Sequence, residues 1–365
     1  MKSGLSIHQT KALWFDSKLN QVVIIDQTVL PHQYIEHRVG SALEMVDAIR
    51  SMKLRGAPLI GTAAAYGMYF AFIEAKRSNQ FQLVFESTKS QLHSARPTAV
   101  NLMDAVDFMI PFCHPDHENI QVLEAAQQYE NQNNQACYGI GLNGLELIRD
   151  IYTKTKKTVQ ILTHCNAGWL ATGTYGTATA PIYLAHEAGI PVHVWVDETR
   201  PRNQGANLTS WELMQMQVPH TVIADNTGGH LMQHAMVDMV IVGSDRTTAN
   251  GDVANKIGTY LKALAAFDNK IPFYVALPLS TIDFELCDGI SQIPIEERGS
   301  EELTHILGID EQNMIRNIRI YAESTSVINY GFDVTPARLV TALITEKGVV
   351  KANKEAISRL TNFEL

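Results

Sequence analysis

Asp245 stands just past a short apolar run. Met239-Val240-Ile241-Val242, bounded by Gly243, reads as a buried parallel strand. A polar turn over 247–252 follows the acid. A helical pattern over 253–266, with Ile257, Tyr260, Leu261 and Leu264 on one face, is expected to carry Asn255 and Lys256 in its first turn. Free N–H groups, a lysine and an amide at a helix N-terminus suit a phosphate. An acid–base group beside an anion cradle is the layout of an enzyme acting on a small phosphorylated molecule.

Other candidates sit at similar junctions. Cys165 lies between His164 and Asn166 at the end of another apolar run. A thiol there is either reactive or a small buried hydrophobe. Arg55 and Arg96 each precede a helical pattern, as phosphate ligands do, although surface charges stand in such places too. Asp245 taken alone is also compatible with a turn or cap.

The elements that must position these groups fall into two parts. Up to about residue 150 the chain reads as a small strand element, Gln21 to Asp26, followed by helices. Ser41 caps a helix through Met52, with Leu43, Val46, Ala48, Ile49 and Met52 as its apolar stripe. Gly56 and Pro58 break that helix, and Pro58 starts the next. Further helical patterns cover 81–94, 98–110 and 117–150, with Pro97-Thr98 punctuating the first two. From 151 to 365 apolar runs alternate with helical patterns: 159–162, 192–196, 221–224, 239–242 and 273–277, with helices over 170–188, 208–217, 228–235 and 253–266. This rhythm predicts a doubly wound α/β sheet with right-handed crossovers. After the last run come an irregular stretch from Ser280 to Thr304, a strand over 318–321 and a closing helix from about Thr335 through Leu339, Leu343 and Ile344. The residues after the runs are acids, amides and one thiol, and ligands bind such sheets at the carboxyl ends of their strands.

Composition narrows the function classes. At about 100–200 residues per domain, 365 residues imply two domains. A net charge of −9 disfavours non-specific binding to nucleic acid or anionic membrane. Four scattered cysteines make no disulfide framework and imply reduced thiols and a cytoplasmic setting. No stretch is apolar and long enough to span a bilayer, and MKSGLSIHQT lacks the apolar core of a signal peptide.

Several long motifs occur in order: DQTVLP (26–31), RGAPLIGTAAAYG (55–67), ARPTAVNL (95–102), HCNAG (164–168), DETRPRNQGANLTSWEL (197–213), GSDRTTANGDVANKIGTY (243–260), ALPLSTID (276–283), IPIEERG (293–299) and FDVTPA (332–337). On these the chain resembles the methylthioribose-1-phosphate isomerase family of methionine salvage. That family shares its fold group with ribose-1,5-bisphosphate isomerases and the regulatory subunits of the translation-initiation exchange factor. The resemblance implies a helical N-terminal domain with a small antiparallel sheet, then a Rossmann-like doubly wound parallel-sheet domain. It implies an aldose–ketose isomerase acting as a homodimer without metal or organic cofactor. Carried over position by position, Asp245 would be the proton donor and Cys165 the transition-state stabiliser. Arg55, Gly56, Ala57, Arg96, Gln204, Asn255 and Lys256 would bind substrate.

In such a substrate the phosphate occupies the anomeric oxygen, so the sugar cannot simply open to a free aldehyde. An acid must protonate the ring oxygen, and Asp245 can do so near neutral pH only if a dry site raises its pKa. The chain departs from the family at Arg202-Asn203, Asn207, Ser244 and Trp169. These changes spare the phosphate and acid groups but bear on the 5-substituent. Two rivals remain: a 5-deoxyribose 1-phosphate isomerase with the same catalytic groups, and a non-catalytic regulatory subunit. Three other patterns have plainer readings. Gly139 to Gly144 matches G-x-G-x-x-G but follows no strand; Cys113 to His117 lacks a completing metal-ligand pair; and His230 with His234 reads as a solvated helix face.

Overall fold

The computed structural model describes residues 6–96 and 100–360. The Pro97-Thr98 punctuation, the start of the helix expected at 98 and the first five residues of the N-terminal reading lie outside them. The chain opens with an antiparallel sheet, β1 (Leu13–Asp16), β2 (Gln21–Ile25) and β3 (Glu36–Val39), in that order across the sheet. Helix α1 (Ala42–Arg50) begins where Ser41 Oγ accepts the Glu44 N–H at 3.2 Å. Its stripe is Met45, Val46, Ala48 and Ile49; Leu43, expected inside, is exposed because it falls on the opposite face. Helix α2 (Ala57–Arg77) is apolar all round, as a buried helix must be. Around it pack α1, α3 (Phe81–His93), α4 (Val100–Met109) and α5 (Asn119–Thr155). Helix α5 is 37 residues long and runs past residue 150.

The second part is built on strands β4 (Val159–Thr163), β5 (Val192–Asp197), β6 (His220–Ile223) and β7 (Met239–Val242). Between them lie α6 (Trp169–Thr172), α7 (Ala180–Glu187), α8 (Ser210–Gln215) and α9 (Thr227–Gln233). The helix expected over 170–188 is thus broken, at Gly173 and Gly176, both with positive φ. One turn of π-helix, Gly205–Thr209, leads into α8.

The hairpin β8 (Arg246–Thr248) and β9 (Val253–Lys256) corrects the expected helix at 253. All four β9 residues are buried, and β9 pairs with β8 on one side and with a later strand on the other. The helix, α10 (Thr259–Asp268), starts only after Gly258, whose φ of 100° ends the strand. Asn255 and Lys256 therefore stand on a strand, not in a helical turn.

Next come β10 (Phe273–Ala276), β11 (Ile282–Asp283), α11 (Gly289–Gln292), α12 (Glu301–Thr304), and the hairpin β12 (His305–Ile309) and β13 (Ile315–Arg319). The expected strand at 318–321 is the end of that hairpin. The chain then forms β14 (Phe332–Thr335), β15 (Ala342–Thr345), β16 (Gly348–Val350) and α13 (Lys354–Leu360). The closing helix expected from Thr335 is absent. Strand β14 pairs with β9, and Leu343 and Ile344 lie in β15, buried on both faces beside β10. Burial on both faces produces an apolar run that spacing alone cannot separate from a helix stripe.

The large sheet has the order β16-β15-β10-β7-β4-β5-β6, parallel except for the edge strand β16. Numbered from β4, its six parallel strands follow the doubly wound order 3-2-1-4-5-6. The order reverses between β4 and β7. Among the described residues no helix is long and apolar enough to cross a membrane. The G-x-G-x-x-G match lies inside α5, where the glycines serve packing: a Cβ on Gly144 would lie 2.4 Å from Pro181 of α7.

Candidate active site

Chain reversal opens a crevice beyond the carboxyl ends of β4 and β7. Cys165 follows β4 and Asp245 follows β7, so the topology brings the two to one place. They line a cavity of about 770 Å3, its open mouth included, together with Arg55, Gly56, Ala57, Arg96, Gln204 and Lys256. Asn255 lines an inner cavity that adjoins it and shares Arg55, Gly56, Ala57, Cys165 and Asp245. All nine candidate residues from the sequence thus converge on one region.

Each is held by local structure. The Asp245 N–H donates to Ala254 O at 3.0 Å, tying the acid to the β8–β9 hairpin. Cys165 has a left-handed backbone, φ 64°, uncommon for a residue other than glycine. Two bonds hold it so: its N–H donates to Thr199 Oγ1 at 2.9 Å, and its carbonyl accepts from Thr209 Oγ1 at 2.7 Å. Lys256 is buried, with Nζ 4.9 Å from the Phe332 ring centroid. Asn255 Nδ2 donates to Thr259 Oγ1 at 3.0 Å. Gln204 is 3% exposed, and among the described residues its Oε1 has no hydrogen-bond partner; the same holds for Arg96 Nη1.

The helix N-terminus that meets this pocket is that of α2. Gly56 and Ala57 both line the cavity where the helix has unpaired N–H groups. Gly56 caps it with φ 96°, and a Cβ there would lie 2.4 Å from Ala171 O. Gly56→Ala is expected to cost about 2–3 kcal/mol, through strain at positive φ and a collision with backbone. The urea midpoint measures this loss; an unchanged midpoint would remove the argument for the cap.

The electrostatics set acid against cations. Burial raises the Asp245 carboxyl above its usual range, although Lys256, Arg55 and Arg96 pull it down. Burial lowers the Lys256 ammonium, with Cys165 and Asp245 opposing. It lowers Arg96 as well, against the pull of Glu296, whose Oε2 lies 3.9 Å from Arg96 Nη2. Glu296 also pairs with Arg298, which is bound to Glu302, which in turn holds Arg202 at 2.9 Å. Arg202 is therefore linked to the pocket by a ladder of ion pairs.

Sequence reasoning missed the apolar wall: Met52, Ile60, Ile293, Pro294, Ile295 and Phe332. An apolar tripeptide in an otherwise polar irregular stretch was the available signal for 293–295. A further cluster, His164, Asp197 and Asp225, underlies Cys165. There the Lys262 ammonium, 3.1 Å from Asp197 Oδ2, already supplies a cation, and His164 bridges Asp197 and Ile257 O.

Fold and pocket together define a doubly wound α/β protein with a basic, acid-bearing pocket at the switch point of its sheet. The profile of the initiation factor 2 subunit family matches residues 53–352. Methylthioribose-1-phosphate isomerase of Rhodospirillum centenum is 52% identical over 358 residues, 97% of this chain and 94% of that protein. The crystal structure of 5-methylthioribose 1-phosphate isomerase from Pyrococcus horikoshii OT3 superposes with a TM-score of 0.83 at 34% identity, covering 99% of this chain and 100% of the other. The crystal structure of the translation initiation factor eIF-2B, subunit delta, from A. fulgidus gives a TM-score of 0.79 at 34% identity, covering 97% of this chain and 100% of the other. The chain belongs to the initiation factor 2 subunit family, among its methylthioribose-1-phosphate isomerases.

Proposed function

We propose that this chain is an aldose–ketose isomerase of methionine salvage, converting 5-methylthioribose 1-phosphate to 5-methylthioribulose 1-phosphate. The observation that carries the reading is a single one. Asp245, its carboxyl raised by burial, shares a pocket with four cationic side chains, Arg55, Arg96, Arg246 and Lys256, and the Cys165 thiol. An acid whose carboxyl is shifted toward its protonated form, beside an anion-holding wall, is what this substrate demands. The relatives' names supply the substrate.

In this reading Arg55, Arg96, Lys256 and the α2 N-terminus hold the phosphate. Gln204 and Asn255 offer polar atoms to the sugar. Asp245 gives its proton to the ring oxygen, and the bond from that oxygen to C1 breaks. C1 becomes a cation stabilised by its phosphate-bearing oxygen. Hydrogen then moves from C2 to C1, either directly as a hydride or as a proton through a base. The C2 hydroxyl becomes a carbonyl and returns its proton to Asp245. The phosphate ends on C1 as an ordinary ester, and the reaction needs no oxidant. Cys165, at the edge of the same space, stabilises the cationic stage. The apolar wall of Met52, Ile293, Pro294 and Phe332 suits the methylthio group.

The division near residue 150 into a helical and a Rossmann-like domain belongs to this proposal. So do homodimeric assembly, for which family resemblance speaks, and a cytoplasmic setting, for which the free cysteines Cys113, Cys137, Cys165 and Cys287 speak. The test is proton NMR of the purified protein with 5-methylthioribose 1-phosphate in D2O. Ketose is expected; deuterium at C1 indicates an exchanging intermediate, and its absence favours hydride transfer. Turnover of 5-deoxyribose 1-phosphate alone would reassign the substrate. Turnover of neither would leave a binding subunit.

A further inference from the structure

Glu212, on α8, lines neither cavity, and it is fully enclosed. Its carboxylate accepts four hydrogen bonds: from Asn166 Nδ2 at 2.9 Å, Leu170 N at 2.9 Å, Trp169 N at 3.0 Å and the Tyr183 hydroxyl at 2.9 Å. Burial pushes it up to about 7 even so. A carboxylate so deep, with no cation against it, is costly to keep unless it organises something.

What it organises is Asn166. The other amide hydrogen of Asn166 goes to Thr209 Oγ1 at 3.2 Å. With both hydrogens drawn to acceptors, Asn166 Oδ1 must face the other way. There it accepts Arg55 Nη1 at 2.6 Å, while the Asn166 carbonyl accepts Arg55 Nη2 at 2.9 Å. Two parallel bonds fix the guanidinium plane beside the cavity. A donor in place of a Glu212 oxygen would let the Asn166 amide turn over and set its NH2 against the guanidinium.

We propose that Glu212 is a positioning residue, which fixes the Asn166 amide and through it the Arg55 guanidinium for the substrate phosphate. The inference rests on the reading of Arg55 as a phosphate ligand. A double-mutant cycle separates the two ideas. Arg55→Ala is expected to lose about a hundredfold in kcat/KM. Glu212→Gln is expected to lose about tenfold, carried by KM with kcat little changed. In the Arg55→Ala background, Glu212→Gln is expected to add less than about twofold, because the group it positions is gone. Asn166→Ala repeats the cycle from the loop side should the buried Glu212 variant fail to fold. Additive losses with Arg55→Ala damaging would overturn the positioning role and leave phosphate binding intact. An Arg55→Ala variant with unchanged kcat/KM would overturn both.

Discussion

Asp245→Asn is expected to lower kcat about a thousandfold while KM changes by less than about threefold, the magnitude of losing a positioned general acid. The exchange is nearly isosteric, and the backbone N–H that ties residue 245 to Ala254 is retained. What disappears is the proton for the ring oxygen. A pH profile adds the sign. Burial raises the Asp245 pKa, and the protonated form is the active one. Activity is therefore full below that pKa and falls as pH rises through it. The asparagine variant's residual activity should lack this alkaline fall. Retention of a tenth or more of wild-type kcat would remove Asp245 from the acid role.

Lys256→Met is expected to lower kcat/KM about a hundredfold or more, since a buried charge facing a phosphate contributes several kcal/mol. Methionine has a comparable reach and can keep the contact with the Phe332 ring. The more telling effect concerns the neighbouring acid. Lys256 is the strongest of the cations that pull the Asp245 carboxyl down. Without it the pKa rises further, the acid form persists to higher pH, and the alkaline fall moves upward. Steady-state kinetics across pH measures both quantities. A fall that moved downward would show that Lys256 does not act on Asp245.

The parallel strands could be read because each is a short apolar run ended by polar residues, and burial on both faces leaves that trace. The same trace misled at Leu343 and Ile344. They lie on a strand next to β10, but their spacing from Leu339 imitates a helix. Val253 to Lys256 failed for a different reason. Strand β9 exists because β8 and β14 flank it, and β14 lies far along the chain. The convergence of Cys165 and Asp245 needs β4 and β7 to be neighbours, and that adjacency is set by the strand order of the sheet, not by any local spacing. Nothing local told that Glu212 reaches under the loop to Asn166, and the apolar tripeptide at 293–295 marked a buried segment without telling which cavity it closes. Those are contacts between distant segments, set by tertiary packing.

Helix α5 packs both on the N-terminal helices and on the elements of the large sheet. At about 1.5 Å per residue it is roughly 55 Å long. It packs on α2 at one side and on α7 and β15 at the other, with Gly144 flush against Pro181. Pulling the halves apart would strip this rod from one of them and expose apolar surface along its length. The cleft is therefore not free to gape like a jaw. The rim is built from other segments: Ile293, Pro294 and Ile295 line the pocket, and His305, Ile306, Leu307 and Asn317 of the β12–β13 hairpin line a neighbouring hollow that shares Met52, Arg55 and Gln204 with it. The long helix makes the site a fixed socket.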